Sequence, residues 1–154
     1  MAPFPEIVIR PAVFGDLQTL MALYRHLNAD DPEMGTGHAE GRFRAMLDHP
    51  GMTVLAAFDG STAVSSITLI VIPNLTRAGA SYALIENVVT HAGYRKQGHA
   101  RALIEKAFTL AWQAGCYKVM LLTGSEDPAT LRFYSGCGFV QNKTGFQRRR
   151  PAGL

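Results

Sequence analysis

The sequence predicts a mixed α/β domain (an α+β mixed sheet) with the element order β-α-α-β-β-β-α-β-α-β-β. Three observations lead to this. Apolar residues recur at helical spacing through residues 14–27 and 98–114, whereas 52–58, 63–72 and 81–90 are strand-like runs rich in Val, Ile and Thr. The segments 81–90, 98–114 and 117–123 form a strand–helix–strand unit, which implies one parallel crossover. Finally, the 154 residues, 47% hydrophobic and 18% charged, suit a single domain over 1–154 with one packed core and argue against disorder.

Residues 7–10 read as a first strand stopped by Pro11. A helix over 14–27 follows, with Leu17, Leu20, Met21, Tyr24 and Leu27 on one face. Asp16 falls in its first turn, where negative charge suits the helix dipole. Residues 28–35 hold Pro32, Gly35 and the acids Asp30, Asp31 and Glu33, the composition of a loop. A second helix spans 38–48 and ends at Pro50-Gly51. The turn Asp59-Gly60 separates strands 52–58 and 63–72, and Pro73-Asn74 breaks the latter. Gly115 marks the end of the helix 98–114. The apolar run 117–123 reads as a strand buried at the centre of the sheet. Pro128 and Gly136 bracket a short helix, and 139–140 with 146–149 read as a closing hairpin.

Charge is divided unevenly along the chain. Residues 1–94 carry five Lys/Arg against nine Asp/Glu, a net −4, and residues 95–154 carry ten against three, a net +7. Such a split points to two ligand faces rather than a uniform nucleic-acid surface. The basic run Arg148–Arg150 lacks aromatic interleaving, so no nucleic-acid partner is expected. No window reaches the roughly 18–20 apolar residues of a membrane span. Residues 1–6 show no basic or apolar leader pattern, and the expected compartment is the cytoplasm. Two cysteines, Cys116 and Cys137, make no disulfide framework. His26, His38, His49, His91 and His99 are scattered and there is no Cys-x-x-Cys, so no metal is expected.

The segment Arg95-Lys96-Gln97-Gly98-His99-Ala100 carries the most chemistry. It lies where a strand-loop enters the long helix. Helix N-termini offer unpaired N–H groups and a positive dipole end, and Gly98 and Ala100 allow a ligand close to the main chain. Arg95, Lys96 and Arg101 add positive charge. These features suit a pyrophosphate, though neither a dinucleotide nor a Walker-type signature is present.

Arg-x-x-Gly-x-Ala at 95–100 resembles the acetyl-CoA signature of the GNAT N-acetyltransferases. Ile85-Glu-Asn-Val-Val-Thr90 resembles the strand before that signature, Tyr94 precedes it as it often does there, and Phe133-Tyr-Ser-Gly-Cys-Gly-Phe139 is similar to the family's Phe-Tyr-x-x-x-Gly-Phe. Within the family the match is nearest to the glucosamine-6-phosphate N-acetyltransferase branch. After Lys118 it departs, because Leu122-Thr-Gly-Ser125 replaces an acidic pair. The resemblance implies the GNAT acyl-CoA N-acyltransferase fold, acetyl-CoA as cosubstrate and a homodimer.

It also implies roles. Amine acetylation needs a neutral amine, and Glu86 is the expected proton acceptor, with Asp127 and Glu126 as alternatives. The Val88 N–H is the expected oxyanion donor, with Val89 and Thr90 along the cofactor. Arg95, Lys96, Gln97, Gly98, Ala100 and Arg101 are expected at the pyrophosphate, and His99 through its backbone N–H. Tyr134 is expected to protonate the departing thiolate, its reference pKa of about 10 keeping the phenol protonated. Asp127 falls where many members place an Asn on the cofactor. No acid or His neighbours Cys137 in sequence to activate it, so transfer is expected to be direct, in a ternary complex. A catalytically silent acyl-CoA-binding regulatory module is the alternative. The acceptor is expected to be a small amine, an amino sugar or a peptide amine: Asp30, Asp31 and Glu33 favour a cationic one, whereas a sugar phosphate would call on Arg77 or on Arg148–Arg150 of a second subunit.

Overall fold

The computed structural model describes residues 6–153. The N-terminal segment read above for a leader, residues 1–5, and Leu154 lie outside them. The chain forms two compact units, divided between Leu121 and Leu122. Among the described residues, no helix is long and apolar enough to cross a membrane.

The first unit is built on a five-stranded sheet ordered β1 (Ile7–Pro11), β2 (Met52–Asp59), β3 (Thr62–Ile72), β4 (Tyr82–Thr90) and β5 (Val119–Met120). Its strands pair antiparallel except β4 with β5, which are parallel. Helices α1 (Leu17–Tyr24) and α2 (Thr36–Asp48) lie between β1 and β2, and α3 (His99–Gln113) makes the crossover from β4 to β5. Pairing across the sheet sets the faces. Val54, Thr68 and Glu86 stand opposite one another, as do Ala56, Ser66 and Val89, so all six share a face. Val54, Ala56 and Val89 pack with Leu20, Leu23 and Phe43, so this is the α1/α2 face. Leu55, Ile67, Leu69 and Ile85 alternate to the other side, where α3 contributes the fully buried Leu103, Ile104, Ala107 and Ala111.

Several boundaries differ from the sequence reading. The first helix opens with a 3-10 turn at Phe14–Asp16 before α1 begins. Asp16 does more than complement a dipole. It accepts two hydrogen bonds from the Arg10 guanidinium, at 2.7 and 3.0 Å, and one from the Val13 N–H at 2.8 Å. The guanidinium also stacks over the Phe58 ring at 3.8 Å. The second helix starts two residues earlier than expected, at Thr36.

The run 117–123 is not a central buried strand. Only Val119–Met120 is strand, half-buried and at the sheet edge, because β4 is its sole partner among the described residues. Lys118 interrupts the run, and Tyr117 and Leu122 are 40% and 68% exposed, so apolar composition alone did not carry it into the core. Nor do 139–140 and 146–149 form a hairpin. They carry no strand, and Val140 and Phe146 are 77% and 93% exposed, so nothing anchors the pairing.

Hydrogen bonding from Arg10, then burial working against it, sets the Asp16 carboxyl, which ends below its ordinary value. A carboxyl lowered in the folded state stabilises above its unfolded pKa of about 3.9, and that contribution fades as pH falls through the folded value. Asp16→Asn is therefore expected to lower unfolding free energy near neutral pH and to flatten this acid limb. Solvent around the part-exposed Arg10 limits the loss to about 1–2 kcal/mol. Urea titrations at pH 7 and pH 3 measure it.

Candidate active site

The middle of β4 is irregular. Thr68 pairs with Glu86 and Ser66 with Val89, so two steps on β3 span three on β4. This is a bulge, and it leaves Asn87 and Val88 without register partners. Asn87 has φ of 53°, a left-handed conformation that Asn tolerates better than most residues. The bulge turns main chain as well as side chains at this point. On the opposite edge, register pairing between β4 and β5 ends at Leu84 with Met120. The β4 backbone beyond Leu84 is therefore outside that ladder, along the stretch that holds Glu86, Val88, Val89 and Thr90.

Buried hydroxyls hold the end of this strand. Ser65 Oγ donates to the Val89 carbonyl at 3.0 Å and lies 2.8 Å from Thr90 Oγ1. With its proton so used, Ser65 accepts from Thr90. Arg95 Nε donates to the Thr90 carbonyl at 3.2 Å, turning the guanidinium back onto β4. Val89 is buried, Val88 and Thr90 are half-buried, and Glu86 is exposed. Glu86 therefore stands open to solvent on the α1/α2 face.

The turn from β4 to α3 is tightly held. A 3-10 turn covers Ala92–Tyr94. His91 Nδ1 accepts from the Gly93 N–H at 3.0 Å, and His26 Nδ1 accepts from the Ala92 N–H at 3.3 Å. The two imidazoles lie 4.1 Å apart, which fastens the region just after α1 to the turn. The Tyr94 hydroxyl donates to Asp59 at 2.6 Å, and Gln97 Nε2 donates to the Gly93 carbonyl at 3.2 Å. The Asp59 hydrogen bond is the main cause holding the Tyr94 phenol above its ordinary pKa.

Lys96 and Gly98 adopt φ of 60° and 85°. Gly98 is the N-cap of α3 and supplies no side-chain cap, so the first amides, at His99, Ala100 and Arg101, face no capping group. A Cβ at Gly98 would meet no neighbouring atom; its requirement for glycine comes from the positive φ. Lys96 is exposed, and the exposed Arg101 holds Glu105 at 3.4 Å. His99 Nε2 is buried and makes no hydrogen bond. These amides, cations and the left-handed Gly98 fit an anionic phosphate group.

Asp127 and Tyr134 lie in the second unit. Asp127 is the N-cap of α4 (Pro128–Gly136), its carboxylate accepting from the Ala129 N–H at 2.9 Å. One of its oxygens is thus already committed to holding the helix. Tyr134 is half-buried between Phe133 and Phe139, with ring centroids 5.2 and 6.1 Å away. Burial, and then the charge of a Cys137 thiolate, push the phenol above its ordinary pKa. Cys116 and Cys137 are both buried, and burial raises the Cys116 pKa. Among the described residues, no cluster of three or more His, Cys, Asp or Glu could hold a metal ion.

Residues 20–139 match the family model for acetyltransferases of the GNAT family. That covers most of the chain and reaches into the second unit. The chain belongs to the GNAT acetyltransferase family. A glucosamine 6-phosphate N-acetyltransferase of Trypanosoma brucei brucei is 29% identical over 141 residues, spanning 90% of this chain and 92% of its own. A solved structure from Agrobacterium tumefaciens str. C58 is 50% identical with TM-score 0.89, covering 93% of this chain and 99% of that one. A crystal structure described as a transcriptional regulator from Bacillus halodurans C-125 is 26% identical with TM-score 0.84, covering 94% and 100%. One fold carries several descriptions, so the chemistry of this N-acetyltransferase has to be argued from its own residues.

Several site residues of the acetyltransferase escaped the sequence reading. Ser65, Asp59, His26 and His91 fix the strand end and the turn. Their partners lie far away in sequence: Ser65 meets Thr90, Asp59 meets Tyr94, and His26 meets the amide of Ala92. The one usable signal was Ser65-Ser66 and Thr68 inside an apolar strand, since buried hydroxyls there need partners.

Proposed function

We propose that this chain transfers the acetyl group of acetyl-CoA to a primary amine by direct attack in a ternary complex. The observation that carries the proposal is the bulge at Asn87–Val88. It takes main chain out of the β3 ladder beside Glu86, and the uncapped start of α3 follows within the same unit. An unpaired strand segment can hydrogen-bond an extended amide-bearing arm, and the amides of α3 with Lys96 suit the pyrophosphate. The roles are those expected from sequence: Val88, Val89 and Thr90 along the thioester arm, and Arg95, Lys96, Gln97, Gly98, His99, Ala100 and Arg101 at the phosphates. Arg95 acts here chiefly by bracing Thr90, and Asp127 chiefly by capping α4.

In the reaction Glu86 takes the ammonium proton, and the neutral amine nitrogen attacks the thioester carbon. The Val88 N–H steadies the negative oxygen of the tetrahedral intermediate. Collapse breaks the C–S bond, the Tyr134 hydroxyl donates its proton to the leaving thiolate, and the nitrogen sheds its remaining extra proton to solvent, which restores the Tyr134 phenol. The products are an N-acetylamine and free CoA thiol. An amino sugar phosphate is the favoured acceptor, because the Trypanosoma brucei brucei relative named for glucosamine 6-phosphate aligns over 90% of this chain. The acids of residues 30–33 favour a cationic amine instead. A cytoplasmic homodimer is part of the proposal, supported by the exposed Val140 and Phe146, which a second copy could cover.

The test is thiol release from acetyl-CoA with glucosamine 6-phosphate, kanamycin, spermidine and lysine. Turnover fastest with glucosamine 6-phosphate is the expected result. Tight CoA binding with no thiol from any amine would instead make the chain a binding module.

A further inference from the structure

Ser65 and Ser66 are neighbours on β3, and both are fully buried. A hydroxyl inside an apolar strand costs stability unless its hydrogen bonds are made. Each donates one bond of 3.0 Å to a main-chain carbonyl, but to strands on opposite sides of β3. Ser66 Oγ binds Leu55 of β2, where the ladder is continuous: Leu55 pairs with Ile67 and Ala56 with Ser66. Ser65 Oγ binds Val89 of β4, where the ladder is broken. Asn87 and Val88 have just left the β3 register, and pairing with β5 has ended at Leu84. A side-chain bond therefore carries a larger share of the strand's position at Val89 than at Leu55.

That bond also sets a direction. The Val89–Thr90 peptide is trans, so its C=O and N–H point opposite ways. Ser65 holds the Val89 carbonyl toward β3, and the Thr90 N–H accordingly points to the other edge, the one β5 has left. The Thr90 carbonyl is taken by Arg95 Nε at 3.2 Å. Thr90 Oγ1 lies 2.8 Å from Ser65 Oγ and has to be the donor, since the single Ser65 proton goes to Val89. With the carbonyl occupied and the hydroxyl proton committed, Thr90 presents a main-chain donor at the open edge.

We propose that Ser65 is a positioning residue for acetyl-CoA, holding the Val89–Thr90 peptide so that the Thr90 N–H donates to a carbonyl of the thioester arm. The inference rests on the acetyltransferase reading and adds to it a fully buried residue that acts only through β4. Ser66 supplies the internal control. It is equally buried and makes a bond of equal length, but toward β2, away from the open edge.

Calorimetric titration of the full chain with CoA tests this, beside melting curves of each variant. Ser65→Ala is expected to weaken CoA binding about tenfold, the loss of one hydrogen bond. Ser66→Ala should lower the melting temperature by a similar amount and leave CoA affinity unchanged. Thr90→Val keeps the side chain's shape and removes only its bond to Ser65, so a smaller loss, about threefold, is expected. In steady-state kinetics Ser65→Ala should raise the acetyl-CoA KM and leave the acceptor KM where it was, a split that general loosening of the fold would not produce. Unchanged CoA affinity in Ser65→Ala or in Thr90→Val overturns the inference, as does an equal loss in Ser66→Ala. Failure of the acetyltransferase reading looks different: the wild type itself would release no thiol.

Discussion

Glu86→Gln is expected to lower kcat about 10²–10⁴-fold, the usual contribution of a positioned general base. Glutamine keeps the size of the side chain and removes the group that takes the ammonium proton. Glu86 is exposed and makes none of the hydrogen bonds or ion pairs that hold the β4 bulge, so the fold should not change. The pyrophosphate turn begins after Thr90, and CoA affinity measured by calorimetry should stay within about twofold, inside the range of a neutral surface change. The pH profile should also change. With no base in place, the rate of the Gln variant follows the neutral fraction of the amine and climbs as pH approaches the amine's own pKa. A variant that loses CoA binding as much as turnover would make Glu86 a structural residue of the strand.

Tyr134→Phe is expected to lower kcat about 10²-fold, the lower end for a general acid, because a thiolate leaves more readily than an alkoxide or amide. The aromatic ring remains between Phe133 and Phe139, so packing of α4 is retained. Here too CoA affinity should be little changed. The sign of the pH effect follows from the raised phenol pKa. The acid form is the active one, and burial holds it protonated above its ordinary value near 10. Wild-type activity should therefore persist to high pH and fall only as the phenol ionises, and the Phe variant should lack that alkaline limb. An unaltered kcat would pass the proton to water and leave Tyr134 a packing residue.

The two variants test residues that the sequence itself singles out. Tyr134 and Glu86 were found through short motifs, because a thiolate donor and a carboxylate base must be particular residue types. The turn proposed for the pyrophosphate was also picked out by residue type: a small, left-handed-tolerant residue suits Gly98, where φ is 85°. What supports these groups was not legible. Ser65 holds Thr90, Asp59 holds Tyr94 and Thr68 stands behind Glu86, and each partnership crosses at least 18 residues of chain. Local periodicity carries no information about such pairings.

By itself, then, the sequence determined which segments become helix or strand through β4 and α3, because alternation and helical spacing are local properties of one chain segment. It also determined the left-handed-tolerant Gly98 at the start of α3 and the charge division between the acidic first part and the basic second part. Tertiary structure alone decided the rest. The bulge at Asn87–Val88 exists because β4 carries one residue more than β3 between two fixed pairs, a count that no single strand reveals. The apolar run 117–123 yields only a two-residue edge strand, and 139–149 yields none. Hydrophobicity states a preference for burial, but a strand forms only where a neighbouring backbone is there to receive its hydrogen bonds.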